Sequence, residues 1–234
     1  MANEGYPERS IEEVEALADS FSAEYFAHIG QSSISTPIPV EDMAEHYLGF
    51  AIDITDEGLF SDPDFIGGID FDAEKIYVNT SIEDHDGRYA FTVAHEIGHY
   101  VLHKAAYLEN HNGGEKKILS RDTFEKPQIE VEADRFAAAL LMPSTLIREA
   151  YAGMDGKKKV KTIGQARALA NHLIKEAGFD NVSNTAMINR LIDLKIIPSF
   201  VGYQTGRFKK NYGRPALGQM IRASLSGVFR RFRV

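Results

Sequence analysis

Two histidines four residues apart, with a glutamate directly after the first, stand at His95-Glu96-Ile97-Gly98-His99. In an α-helix, residues i and i+4 lie one turn apart on the same face, so both imidazoles can be directed at one metal ion. Glu96 follows His95 by about 100° of helix rotation. From there it can reach a water on that ion without ligating it. This is the HExxH arrangement, in which the histidines bind zinc and the glutamate acts as general base. The plain alternative is a pair of helix-face histidines satisfied by hydrogen bonds. The chain contains no cysteine, so thiolate ligands, disulfides and cysteine nucleophiles are excluded, and a metal must be held by nitrogen and oxygen.

A catalytic zinc needs a third protein ligand and one open position. His103 continues the face of His95 and His99. The pattern that uses a third histidine on this helix, however, places a Gly three residues and a His six residues after the second one. Here those positions are Leu102 and Ala105, so His103 reads as a helix-end residue facing the C-terminal dipole. The stretch from Glu130 to Pro143 offers a better source. Its apolar stripe is Ala133, Phe136, Ala137, Leu140 and Leu141, at helical spacings of three and four. Glu130 and Asp134 lie at one edge of that stripe, while Glu132 falls away from it. Carboxylates beside a buried face are costly unless paired or metal-bound. Glu130 is therefore the candidate ligand. Asp134 is the candidate partner that accepts the other N–H of a metal-binding histidine. The bland reading is an ordinary helix end with surface acids.

These residues need elements to hold them. Ser10-Ile-Glu-Glu13 is a capping box opening a helix to about Ala27, with Ile11, Val14, Leu17, Ala18 and Phe21 in helical spacing. A short helix over 40–48 and a strand over 50–54 follow Pro37 and Pro39. Residues 65–71 and 75–79 alternate in period two around Asp72 to Glu74, which predicts a hairpin. The spacing then predicts helices over 86–104, 127–141 (Pro127 in its first turn), 144–152, 162–178 and 183–194, with a surface loop or flap over 109–126. Strands cluster early and helices late, which is the pattern of an α+β protein.

The longer strings carry a resemblance. His-Glu-x-x-His followed by Glu-x-x-x-Asp is similar to the gluzincins. Arg88 through His103, taken with Glu130-Val-Glu-Ala-Asp-Arg-Phe-Ala-Ala-Ala-Leu-Leu-Met-Pro143, resembles the ImmA/IrrE family of small metallopeptidases. The likeness is strong over 66–143 and continues weakly to 182–191, similar to that family's helix-turn-helix-like C-terminal segment. It does not cover the residues before about Val40 or after Pro198. It implies a zincin-like fold with a small early sheet and a helical C-terminal part. It also implies zinc at His95, His99 and Glu130, Glu96 as base, and cleavage of an intracellular regulator such as a helix-turn-helix repressor. Many relatives carry Asn at the position of Asp134, and either residue can hold a histidine. The expected organisation is a metallopeptidase domain over 1–198 and a basic tail over 199–234.

The net charge of -8 is unevenly placed. From Val201 onward there is no Asp or Glu, against Arg207, Lys209, Lys210, Arg214, Arg222, Arg230, Arg231 and Arg233. Such a tail can act as a nucleic-acid arm or lie on its own acidic body. A competing functional class is thus a non-catalytic zinc-containing regulator that binds a transcription factor or DNA. For a DNA face, though, Ser183 to Leu191 offers only Arg190. No apolar run approaches the roughly 20 residues of a membrane span. Residues 1–10 also lack the basic start and apolar core of a signal peptide, so a soluble cytoplasmic protein is expected. Two points stay open. Tyr100 and Tyr107 are near the motif as oxyanion donors, although packing is the simpler role, and the strand Lys75–Asn79 is either a substrate-aligning sheet edge or a core strand.

Overall fold

The computed structural model describes residues 6–61, 66–111, 128–155 and 159–199. The first helix, α1 (Ile11–His28), opens on the expected capping box: the Glu13 amide donates to Ser10 Oγ at 3.2 Å and the Ser10 amide to Glu13 Oε2 at 2.7 Å. Next, α2 (Val40–Asp42) runs straight into a π-helical turn over Met43–Tyr47, which together fill the span read as one short helix. Three strands form one sheet, β1 (Ala51–Thr55), β2 (Gly67–Asp70) and β3 (Lys75–Asn79), in the order β1-β3-β2. The predicted hairpin is β2 with β3, antiparallel, with Gly67 opposite Val78 and Asp70 opposite Lys75. Asp70 shapes its turn, since Oδ1 accepts from the amides of Asp72 and Ala73 at 2.9 Å each.

β3 also pairs parallel with β1, Ala51 opposite Lys75 through Thr55 opposite Asn79. Lys75–Asn79 is therefore the central strand, and the sheet-edge reading of it is overturned. Its Ile76 and Val78 are fully buried, which is the physical reason: the most apolar strand takes the position with neighbours on both sides.

Among the described residues five further α-helices follow: α3 (Asp86–His111), α4 (Gln128–Leu141), α5 (Ser144–Gly153), α6 (Ile163–Glu176) and α7 (Asn184–Asp193). The result is a mixed α+β chain, mostly helical, with a small early sheet. Here α3 is longer than its apolar spacing predicts and absorbs residues 109–111, the first three of the expected loop. Residues 112–126 of that loop, Pro127 and the basic tail from residue 200 lie outside the described residues. One core joins α1, the sheet and α3 to α7, with Phe26, Phe50, Phe136 and Phe179 among its largest buried side chains.

The helix pair α3 and α4 is central to that core and meets at Gly98. A Cβ on Gly98 would stand 3.2 Å from the Ala133 carbonyl oxygen and 3.2 Å from Phe136 Cδ1. These contacts are tighter than an ordinary Cβ makes, so a side chain at 98 would force the neighbouring helix to give by a few tenths of an ångström. On α7, Arg190 is buried: its guanidinium pairs with Glu15 of α1 at 2.6 Å, and its Nε donates to the Met142 carbonyl at 3.1 Å. The one cation that segment offered to DNA thus ties α7 to α1 instead.

Gly98→Ala is expected to destabilise the protein by about 1–3 kcal/mol, the usual cost of overpacking a close contact. Gly164→Ala, in α6 with only Thr162 Oγ1 at 3.9 Å, is expected to be neutral or to stabilise by up to about 1 kcal/mol. Urea denaturation of the two variants checks the contrast.

Candidate metal centre

The close crossing at Gly98 brings the first turn of α4 against the middle of α3. Glu130 Oε2 lies 3.3 Å from His95 Nε2, and Glu130 Oε1 lies 3.3 Å from His99 Nε2. The two Nε2 atoms face each other at 3.0 Å. All three side chains offer one ligand atom each within 4.8 Å of one another. His95 and Glu130 are buried, and His99 keeps 13% of its side chain exposed, so the cluster is reachable from outside.

Asp134, one turn after Glu130, reaches the far side of the same ring: its Oδ1 lies 2.9 Å from His95 Nδ1. With a metal on Nε2, this contact keeps the His95 proton on Nδ1 and turns the Nε2 lone pair toward Glu130 and His99. Burial is the largest single influence on His95 and disfavours its charged form. The hydrogen bonds that the ring N–H groups donate to Asp134 and Glu130 outweigh it and push the group up to about 10. At Glu130 burial again acts toward the neutral form, yet the neighbouring His99 and His95 hold the carboxyl well below the usual carboxylate range. The site thus favours positive charge set between two imidazoles and a carboxylate.

That preference suits a divalent cation. Glu130 Oε2 is buried without a hydrogen bond, and two imidazole nitrogens confront each other beside it. Buried polar atoms without partners are rare and call for an explanation. An ion on these atoms satisfies all of them. Zinc at its usual 2.0–2.1 Å from nitrogen spaces tetrahedral ligand atoms roughly 3.3 Å apart, close to the separations here.

Glu96 is 3% exposed. Burial pushes its pKa up, against the pull of His95 and His99. It faces the sheet through Gly67 of β2, where a Cβ would meet Thr92 Cγ2 at 2.3 Å and Glu96 Oε1 at 3.3 Å. Gly67 is therefore what allows β2 to lie against α3 beside Glu96. Among the described residues β2 pairs only with β3, so β2, not β3, is the sheet edge next to the cluster.

Two readings of the sequence are corrected. His103 is not at a helix end, because α3 continues to His111; it is 2% exposed, and burial, followed by the charges of His99 and Arg9, pushes it down to about 3. A neutral imidazole there cannot complement a helix dipole. Glu132 does not face away from the core. It is 3% exposed, covered by the segment that leads into α1, where the Arg9 amide donates to Oε1 at 3.0 Å. The signal for this was present in the sequence: Ile129 and Ala139 widen the apolar surface of α4 beyond one stripe, as expected of a helix covered on more than one side. Tyr100 packs edge-on against Phe50 at 5.3 Å, and Tyr107 against Phe71 at 4.9 Å.

Gly67→Ala is expected to cost about 1–3 kcal/mol by forcing Thr92 and β2 apart. The double variant Gly67→Ala, Thr92→Ser removes the clashing Cγ2 and is expected to regain most of that loss in equilibrium unfolding.

Among the described residues, no helix is long and apolar enough to cross a membrane. A comparison with curated proteins finds no match. The sequence does match the peptidase M78 family, described as the IrrE N-terminal-like domain, over residues 43–174, more than half of the chain and the whole of the His95, His99 and Glu130 cluster. With that match and this cluster together, the chain belongs to the peptidase M78 family of metal-dependent peptidases.

Proposed function

We propose that the protein is a zinc-dependent endopeptidase of zincin-like architecture, acting on an intracellular regulatory protein such as a helix-turn-helix repressor. The observation that carries the reading is the convergence of two imidazoles and a buried, otherwise unpartnered carboxylate oxygen on one point, with Glu96 beside it on the same helix. His95, His99 and Glu130 hold the ion, and Asp134 orients His95 through Nδ1. When bound, zinc supplies Lewis acidity toward water and toward the scissile carbonyl.

The chain's own groups supply the rest. Glu96 takes a proton from the attacking water and returns it to the leaving amine, keeping charge balanced through both steps. The edge of β2 lies next to Glu96 and aligns an extended peptide by main-chain hydrogen bonds. Its approach depends on Gly67, whose missing side chain leaves the space between strand and helix. The substrate class follows from the ImmA/IrrE resemblance, and the basic residues from Arg207 onward supply a second, electrostatic means of holding a partner, whether an acidic protein or nucleic acid.

Glu96→Gln is the direct test. The variant is expected to retain zinc and to lose hydrolysis by on the order of 10²–10⁴-fold. The measurement pairs metal analysis of the purified chain with mass-spectrometric counting of new N-termini in a mixture of helix-turn-helix repressors. Equal cleavage by parent and variant contradicts the role of Glu96. No cleavage by the zinc-loaded parent favours the non-catalytic regulator instead.

A further inference from the structure

His95 is held by Asp134, yet among the described residues no carboxylate touches the outer nitrogen of His99. That nitrogen meets a third imidazole: His99 Nδ1 lies 3.1 Å from His103 Nδ1. The other nitrogen of His103, Nε2, lies 3.4 Å from Glu132 Oε2. Glu132 is fastened in turn by Arg9, whose amide donates to Oε1 at 3.0 Å and whose guanidinium lies 3.3 Å from Oε2, and by Gln128 Nε2 at 3.2 Å. Tyr6 closes the outside of the His103 ring edge-on, at 6.0 Å between centroids.

The proton order along this line is set by its ends. With zinc held on His99 Nε2 beside Glu130, the His99 proton is carried on Nδ1 and donated to His103 Nδ1. His103 then carries its own proton on Nε2 and donates it to Glu132. The line ends on a carboxylate buried at 3% exposure. Burying a carboxylate costs several kcal/mol unless charge and hydrogen bonds offset it. A device that only tethered residues 6–10 would need Arg9 and Glu132 but not two aligned imidazoles between that pair and Glu130.

We propose that His103 and Glu132, closed by Arg9, form a positioning chain that fixes the ring of His99 toward the metal. This role rests on the zinc reading of His95, His99 and Glu130. It gives the two imidazoles matching support, both from α4: Asp134 acts directly on His95, and Glu132 acts through His103 on His99. It also makes the segment before α1, which lies outside the family match over 43–174, part of the metal centre.

The test uses the full chain, stripped of metal, with zinc affinity measured against a chromophoric chelator and visible spectra taken with cobalt. His103→Phe is expected to weaken zinc binding about 10–100-fold, the range typical for loss of a group that orients a ligand. Arg9→Met, at a side chain 21% exposed, is expected to shift affinity in the same direction by a smaller factor and carries the test if His103→Phe does not fold. Adding Glu132→Gln to His103→Phe is expected to cost nothing further, since both act through one line. In each single variant the cobalt bands shift and the zinc-induced rise in melting temperature shrinks. A mere structural tether would instead lower the melting temperature of metal-free and zinc-loaded protein alike. Zinc uptake at parental affinity by His103→Phe and Arg9→Met, with unchanged cobalt spectra, overturns the chain alone. A parent that takes up no zinc overturns the metal reading and the chain with it.

Discussion

A carboxylate taken out of water costs several kcal/mol unless something positive meets it. Glu130 is 5% exposed, on a helix whose neighbours are Ile129, Ala133 and Phe136, and what meets it is the pair His95 and His99. That meeting depends on α3 and α4 touching nearly backbone to backbone at Gly98 and Ala133. A larger residue at 98 would press on Ala133 and Phe136 of α4, the helix that carries Glu130. The packing of two helices and the electrostatics of the centre are thus one constraint, and the rest of the core serves to hold it.

Around this crossing the labour is divided by element. The long helix α3 carries both imidazoles, Glu96 and His103 on successive turns, so their spacing along the helix is rigid. The shorter α4 carries the three carboxylates, and its burial between α3 and α1 fixes where they reach. β2 contributes its backbone rather than a side chain: Gly67 brings the sheet edge beside Glu96. Buried charge, strand edge and open side at His99 therefore lie within one short stretch of structure, as a hydrolytic centre requires.

Much of this was legible from local pattern. Helical periodicity placed Glu130 and Asp134 on one face, and the i, i+4 spacing paired His95 with His99, because both follow from geometry within a single helix. The capping box at Ser10 and the turn at Asp70 are equally local and stand where their residues predict. What escaped depends on distant partners. Glu132 fell away from the main stripe, and although Ile129 and Ala139 hint at a second covered side, its partner Arg9 lies more than a hundred residues earlier. His103 looked terminal because the apolar spacing of α3 fades before the helix does. The parallel pairing of β1 with β3, which makes β2 the edge, is likewise invisible in strands read one at a time.

Zinc-edge X-ray absorption of the zinc-loaded full chain tests the account most directly. It predicts one zinc per chain with a light-atom shell at about 2.0–2.2 Å and the multiple-scattering signature of two imidazoles. A shell showing one imidazole or none, or a loaded protein whose Glu130→Ala variant gives the same spectrum and the same metal content, would contradict it.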